Sequence, residues 1–223
     1  MIRLHCTSKL LPKLPVDGKG YFSASNKNRA NSAQMLEALN PLSGWYGSMF
    51  VLKGRNCVVI IHEATRFPVF MPCLVKAHFA ELEDHFASAF VAALVEIGSN
   101  EEQIETAKRL LQPFVVDAEN KDVMQMALNQ AKACIERMLW DDNTSIEKLE
   151  AAQASRVLSD IPFNLQAKKE VVWPKKLMLR LLDDATGLLN RASNHSFEGD
   201  SKVSDAQKSD KIVSLADFQS RRK

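Results

Sequence analysis

The spacing of the apolar residues changes at Pro72, and this change constrains the fold more than any other feature of the sequence. Up to Pro72 the apolar residues alternate with polar ones or form short continuous runs, both of which are typical of β-strands. From Phe79 to Ile97 they recur at steps of three and four, as they do along one face of an α-helix. Strands followed by helices predict an α+β fold.

The predicted strands all lie in the first 75 residues and form a small, mainly antiparallel sheet. Residues 53–56 have the Gly and Asn content of a hairpin turn, which pairs the strands on either side of it. Residues 57–61 are all apolar, so both faces of this strand carry apolar side chains and we expect both faces to be covered. The four strands are residues 2–6, 46–52, 57–62 and 67–71, and a mobile basic loop is predicted over residues 15–33.

A helical region is predicted from residue 76 to residue 190, packed on the sheet as part of one globular unit. Two capping boxes, beginning at Ser99 and at Thr144, mark the starts of helices inside this region. Beyond Asn190 the sequence is polar and has no regular apolar spacing, apart from a short apolar group at 212–215. We therefore expect residues 191–223 to be a disordered tail.

The net charge is close to zero but is distributed unevenly along the chain. The formal charge is +2 over all 223 residues, yet it is +6 for residues 1–75, −8 for 76–160 and +4 for 161–223. A basic first third with nearby aromatic side chains could contact nucleic acid. No signature of a known nucleic-acid-binding module accompanies these residues, and a solvated basic loop is the alternative explanation.

Nothing in the sequence predicts export or membrane insertion. The first residues contain no apolar signal segment, and no apolar run in the sequence approaches the roughly 20 residues of a membrane span. We therefore expect a cytoplasmic protein that has no membrane contact and whose four cysteines are reduced thiols. The oligomeric state is not predicted.

The sequence contains no cofactor motif, and its potential metal ligands have unfavourable spacing. The glycine patterns of nucleotide-binding loops and the Gly-x-Ser-x-Gly pattern of esterases are missing. Cys57 and His62 are separated by five positions, as are Cys73 and His78, and this spacing directs the side chains of each pair apart on a strand or a helix. We expect neither a cofactor nor a metal ion.

The candidate functional residues are polar side chains near the ends of two predicted strands. One group follows the first strand, and the other follows the most buried strand. If these strand ends are adjacent, the side chains could bind phosphate or transfer a proton, whereas a hydrogen-bonded turn beside an exposed strand end is the alternative. The catalytic candidates are His5, Lys9, His62 and Glu63, and the binding candidates are Thr7, Trp45, Arg55, Thr65 and Arg66.

The opening sequence Leu4-His5-Cys6-Thr7-x-Lys9-Leu10-Leu11 resembles the start of an uncharacterised bacterial family, classed as a domain of unknown function. The resemblance continues through the Trp45-Tyr46 strand and the apolar run 57–61, and covers about residues 1–95, extending into the helices as far as about residue 182. The long insertion over 15–44 departs from the family pattern. The resemblance implies a prokaryotic or mobile-element setting and no particular chemistry.

Three classes of function are open at this point. The first is a non-enzymatic cytoplasmic binding or accessory protein that contacts nucleic acid through its basic N-terminal region, with the acidic helical part facing solvent or a protein partner. The second is a small enzyme that acts on RNA or a phosphorylated metabolite, which requires His5 and His62 to lie within about 10 Å of each other if they share one site. The third is a structural protein that binds a partner through its C-terminal tail.

Overall fold

The structure, a computed structural model, describes residues 1–22, 40–111, 114–119, 121–141, 145–165 and 170–200. The chain divides into two units, Met1–Thr186 and Gly187–Lys223. All the strands described below belong to the first unit. In the second unit, residues 187–200 are helical.

Strands and helices follow one another in blocks along the chain. The strands are β1 (Ile2–Cys6), β2 (Trp45–Leu52), β3 (Arg55–His62), β4 (Pro68–Leu74), β5 (Phe114–Asp117), β6 (Phe163–Leu165) and β7 (Glu170–Val172). The α-helices are α1 (Lys76–Ala80), α2 (Leu82–Glu96), α3 (Glu101–Leu110), α4 (Asp122–Asp141), α5 (Ala151–Ser159) and α6 (Pro174–Asp200). No described helix combines the length and the apolar character that crossing a membrane requires.

Strands β1 to β5 form one mixed sheet in the order β4-β3-β2-β1-β5. β4, β3 and β2 are antiparallel neighbours, whereas β1 pairs in parallel with both β2 and β5. The predicted α+β class is confirmed, with the correction that the sheet is mixed rather than mainly antiparallel. The physical reason is that long connections precede β2 and β5, and a parallel pairing needs a long crossover.

The sheet buries apolar side chains on both faces. One face, here called the Trp45 face, also presents Leu4 and Ile60 and packs against α2, α3 and the start of α6. The opposite face, the Tyr46 face, also presents Val59 and Ile61 and packs against α4 and α5. Residues 57–61 are all fully buried, so the expectation that this strand is covered on both faces is confirmed.

Three strands lie within the stretch predicted to be entirely helical. β5 has four residues and β6 and β7 have three each, which pair with each other as a separate hairpin. Segments this short do not show an alternating pattern that stands out from the surrounding helices. The sheet is therefore not confined to residues 1–75, because β5 completes it from the second half of the chain.

Helix boundaries differ from the predicted ones at a few positions. The capping box of α3 begins at Asn100, one residue later than predicted, and Gln103 supplies the reciprocal bond. The predicted start at Thr144 lies outside the described residues. α6 continues to Asp200, into the predicted tail, and residues 201–223 are not among those described.

A tight turn over residues 16–22 covers the outer edge of β5. Val16 and Phe22 form an antiparallel bridge, and the Asp17 carboxylate accepts hydrogen bonds from two backbone N–H groups inside the turn. Val116 N donates to Gly20 O over 2.8 Å. This turn occupies the first part of the predicted basic loop, whose residues 23–33 lie outside the described part of the chain.

Candidate functional site

Three side chains form a row across the parallel part of the sheet. His5 of β1 is the register partner of Tyr46 on β2 and of Asp117 on β5. Residues in register on neighbouring strands project from the same face, here the Tyr46 face. The His5 ring centroid is 4.4 Å from that of Tyr46, and His5 Nδ1 is 2.6 Å from Asp117 Oδ1. The His5 side chain is 5% exposed, so this contact is shielded from water.

Asp117 is fixed by three hydrogen-bond donors. Besides His5, Arg3 Nη1 donates to its Oδ2 over 3.3 Å, and the backbone N–H of Glu119 donates to its Oδ1 over 2.9 Å. Burial alone would raise the pKa of the Asp117 carboxyl, but the Glu119 N–H, His5 and Arg3 together hold that pKa below its usual value. Asp117 is therefore ionised near neutral pH, and it favours the His5 tautomer that carries a proton on Nδ1.

The Nδ1–H tautomer makes Nε2 the reactive atom of His5. Among the described residues, Nε2 has no hydrogen-bond partner. An imidazole held at Nδ1 by a carboxylate, with a lone pair available at Nε2, is the arrangement that general acid–base catalysis uses. His5 and Asp117 are called the dyad below.

The dyad lies where ligands usually bind in parallel sheets. His5 and Asp117 are at or next to the carboxyl ends of β1 and β5. The strand order also reverses at β1, because the chain adds β2 on one side of it and later β5 on the other. Crevices at the carboxyl ends of strands beside such a reversal are the common ligand sites of open sheets.

A second group of polar side chains lies around the Tyr46 ring and hydroxyl. Lys121, just before α4, has its Nζ 5.9 Å from the Tyr46 ring centroid and 2.5 Å from Glu63 Oε1. Arg66, in the same β3–β4 turn as Glu63, donates to the Glu63 carbonyl and to Met124 Sδ. Tyr46, Glu63, Arg66 and Lys121 are called the Tyr46 cluster.

The environment shifts the pKa of three members of this cluster. Burial and the Glu63 carboxylate raise the pKa of Tyr46 against the opposing effect of Lys121, so the hydroxyl remains a donor. Burial lowers the pKa of Arg66, an effect that Glu63 and Tyr46 partly offset. The hydrogen bond to Glu63 raises the pKa of Lys121. At neutral pH the cluster thus contains two cations, one carboxylate and one phenol.

The dyad and Glu119 also present a set of atoms that could surround a divalent cation. One donor atom from each of His5, Asp117 and Glu119 lies within 4.8 Å of the others. The Asp117 carboxylate, however, already accepts hydrogen bonds from three donors, one of them the cationic Arg3. These bonds favour Asp117 as the group that orients His5 rather than as a metal ligand.

The site lies within the part of the chain that matches a known protein family. The model of the family described as Domain of unknown function (DUF6933) matches residues 3–177, well over half of the chain. The chain belongs to this family. The DUF6933 match contains the dyad and the whole Tyr46 cluster and confirms the resemblance to a family of unknown function. No curated protein and no solved structure matches the chain significantly.

The sheet separates the two histidines, His5 and His62, that were predicted to share one site. Tyr46 and Trp45 are neighbours on β2, and successive residues of a strand point to opposite faces. His5 packs on Tyr46, whereas His62 packs on Trp45 with ring centroids 4.8 Å apart. The two imidazoles are therefore on opposite faces of the sheet, and the structure does not bring them into one site.

Three of the candidate residues have buried contacts on the Trp45 face. His62 is fully buried, and its Nδ1 is 2.9 Å from Thr65 Oγ1. Burial lowers the pKa of His62 to about 4, so the ring is neutral near pH 7. Trp45 is fully buried, and its indole N–H donates to Leu42 O. These contacts close the β3–β4 turn and anchor the segment before β2.

The other candidates divide between the surface and the Tyr46 face. Thr7 lies two residues after His5 and donates from Oγ1 to Ser48 Oγ over 3.2 Å. Lys9 is exposed in the turn after β1. Arg55 is at the surface, where its Nε is 2.9 Å from Glu147 Oε1. Of the predicted residues, His5, Glu63 and Arg66 are the three that line the site described above.

Sequence reasoning missed the residues that follow β5. Asp117 ends this strand, and Glu119 and Lys121 occupy the connection to α4. The available signal was a run of three apolar residues, 114–116, that ends in an aspartate between two helical segments. A carboxylate at the carboxyl end of a short apolar run is a position where parallel sheets place functional groups.

Proposed function

We propose that this domain is a small enzyme in which His5 transfers a proton and Asp117 holds the imidazole in place. The observation that supports the proposal is the 2.6 Å contact between His5 Nδ1 and Asp117 Oδ1 at the carboxyl ends of two parallel strands. A carboxylate at Nδ1 makes Nε2 the proton acceptor and stabilises the imidazolium that forms. The reaction class is hydrolysis or group transfer, in which His5 deprotonates a water or hydroxyl and then protonates the leaving group.

Two further catalytic candidates, Glu63 and Lys9, have positions that are compatible with this proposal. Glu63 belongs to the Tyr46 cluster, next to the dyad, where it is paired with Lys121. Lys9 is exposed beyond the carboxyl end of β1, where a positive charge attracts an anionic substrate towards His5. His62 has no role in the reaction, because it lies on the opposite face.

Replacing His5 by Gln should lower turnover at least about 100-fold, because a positioned acid–base group contributes roughly 100- to 10,000-fold to rate. Turnover is measured with the purified full chain on chromogenic phosphate monoesters and diesters, carboxylic esters and short RNA. His85→Gln is the matched control, since His85 is on α2, which packs on the Trp45 face. Circular dichroism melts check that each variant folds.

Two results would contradict the enzyme proposal. One is that the wild-type chain turns over none of these substrates, and the other is that His5→Gln retains wild-type turnover. Long-range nitrogen–proton NMR correlations provide a substrate-independent check, because the dyad requires the His5 proton on Nδ1. A proton on Nε2 instead would remove the proposed base.

Nucleic-acid binding by the N-terminal region is the second candidate function, and exposed lysines support it. Lys9, Lys13 and Lys19 are exposed and form no ion pair in the part of the chain that the structure describes. Arg55, by contrast, is paired with Glu147. Lysines without an acidic partner are available to phosphates.

For this second candidate we expect the wild-type chain to retard single-stranded RNA and DNA in a gel at low salt. The retardation should weaken steeply as salt is added, because binding releases counter-ions from the nucleic acid. Replacing all three lysines by Gln should abolish it. The control carries Gln at three lysines elsewhere on the chain, Lys76, Lys108 and Lys132. No retardation of the wild-type chain at low salt would exclude this function.

We further propose that the protein acts in the cytoplasm. This is supported by four cysteines, Cys6, Cys57, Cys73 and Cys134, all of which are free thiols. Oxidising compartments usually convert cysteines into disulfides. Fractionation of cells that express the full chain tests this location.

A further inference from the structure

We propose that Arg66, Tyr46 and Lys121 form a subsite for a phosphate group of the molecule on which His5 acts. The reaction of the bound molecule at His5 rests on the proposed function, whereas the binding of its phosphate group does not. The inference gives the substrate a chemical class, a phosphate-bearing molecule. It also gives the three residues a role in binding this molecule before proton transfer.

The first supporting observation is a half-buried guanidinium without a counter-ion. Arg66 donates to two uncharged acceptors, the Glu63 carbonyl and Met124 Sδ, and forms no ion pair with any described residue. Desolvating a cation without an anionic partner is unfavourable, so the position has an unmet preference for an anion.

The second observation is a buried hydroxyl without a hydrogen bond. Tyr46 is 1% exposed, and within the described ranges its Oη makes no hydrogen bond of ordinary geometry; the Lys121 ammonium is its polar neighbour and acts to lower its pKa. Buried hydroxyls are normally paired, and an unpaired one in a native protein indicates a missing water, ion or ligand group. The Tyr46 and His5 rings are in tilted contact with centroids 4.4 Å apart, so the hydroxyl and the imidazole belong to the same face of the sheet.

The third observation is the balance of charge around these two groups. Lys121 is 2.5 Å from Glu63 and 3.9 Å from Glu119, so the acidic side chains nearest the subsite already have a cationic partner. Arg66 feels the attraction of Glu63, but that carboxylate is already paired with Lys121, so the Tyr46 cluster has two cations for one carboxylate. A phosphate has enough oxygens to accept from Arg66, from the Tyr46 hydroxyl and from an ammonium group together, which a two-oxygen carboxylate does less well.

The subsite is tested by phosphate binding to the full-length chain. Inorganic phosphate and phenyl phosphate are titrated by calorimetry and by NMR, and acetate is the comparison anion. Arg66→Gln and Tyr46→Phe should each weaken phosphate binding at least 10-fold. Tyr46→Phe should change the melting temperature little, because the hydroxyl makes no hydrogen bond of ordinary geometry and the variant loses only its contact with Lys121.

Matched controls separate the subsite from general changes in charge or aromatic content. Arg55→Gln removes an exposed arginine that is paired with Glu147, and Tyr21→Phe removes the other tyrosine hydroxyl of the chain. Both should retain wild-type phosphate affinity. Arg66→Lys keeps the charge and should bind phosphate with an affinity between those of wild type and Arg66→Gln.

The outcomes distinguish this inference from the proposed function. Phosphate binding that is weakened in Arg66→Gln and Tyr46→Phe but retained in His5→Gln supports the subsite, whatever the turnover assays show. No saturable phosphate binding by the wild-type chain, affinity unchanged in both variants, or tighter binding of acetate would each overturn it. Loss of turnover in His5→Gln together with unchanged phosphate binding in Arg66→Gln would overturn the subsite alone.

Discussion

Gly20→Ala is expected to lower the free energy of unfolding by about 4 kcal/mol, the largest effect of any single substitution considered for this chain. Gly20 has a φ of 82°, which is unfavourable for every residue with a Cβ. A Cβ built there would also lie 2.0 Å from the backbone oxygen of Val116 on β5. Relief of this overlap requires the turn to move away from β5, which breaks the bond from Val116 N to Gly20 O.

Gly54→Ala is the matched control for this experiment. Gly54 has a φ of 79°, almost the same as Gly20, but a Cβ there would meet nothing within 4 Å. Gly54→Ala should therefore lower the free energy of unfolding only by the cost of the positive φ, about 1 kcal/mol. Chemical denaturation of both variants measures the difference. Equal losses in the two variants would show that the contact with β5 does not contribute to stability.

Lowering the pH from 7 to 4 is expected to remove about 3 kcal/mol of stability through His62 alone. Burial lowers its pKa from 6.5 to about 4 in the folded chain. Between these two values the unfolded chain binds a proton that the folded chain does not, so stability decreases as the pH falls. The contribution is fully present above about pH 6.5 and is lost progressively down to about pH 4.

The measurement compares denaturation curves of wild type and His62→Gln at several pH values in this range. Carboxylates also titrate near pH 4, so the quantity of interest is the difference between the two slopes of stability against pH. His62→Gln should have the shallower slope, even if it is less stable throughout. Parallel slopes for wild type and His62→Gln would mean that His62 is not buried as a neutral ring.

The sequence was informative wherever the structure depends on local patterns. The change at Pro72 from strand-like to helix-like spacing of apolar residues predicts the α+β class, and the structure confirms this class. The apolar run 57–61 predicts a strand covered on both faces, and all five residues are fully buried. Local spacing is sufficient for such features, because each is determined by which side chains of one element face the core.

Features that depend on register between distant strands were not predictable from local patterns. His5 and His62 both stand at strand ends, but only the pairing of β1 and β3 with β2 places them on opposite faces. The partner of His5 is Asp117, on a four-residue strand that the sequence pattern conceals. The dyad therefore became visible only when the parallel pairing of β1 with β5 was known.

The meaning of the uneven charge distribution also depends on contacts between distant parts of the chain. The sequence suggested that the basic first third faces an external partner. In the structure, two of its arginines pair with the acidic middle of the chain, Arg3 with Asp117 and Arg55 with Glu147. Part of the charge asymmetry is therefore satisfied within the protein, and the lysines after β1 are the portion available to partners.

The central position of β1 has a consequence for how the protein is made. β1 precedes the other described strands of the sheet along the chain, yet one of its two neighbours, β5, follows more than a hundred residues later, and the dyad joins residues 112 positions apart. Contacts between such distant residues form late in folding, because a long loop must close before they stabilise the chain. A nascent chain that ends before residue 117 has the histidine but not its carboxylate, so the contact between His5 and Asp117 forms only when β5 closes the sheet.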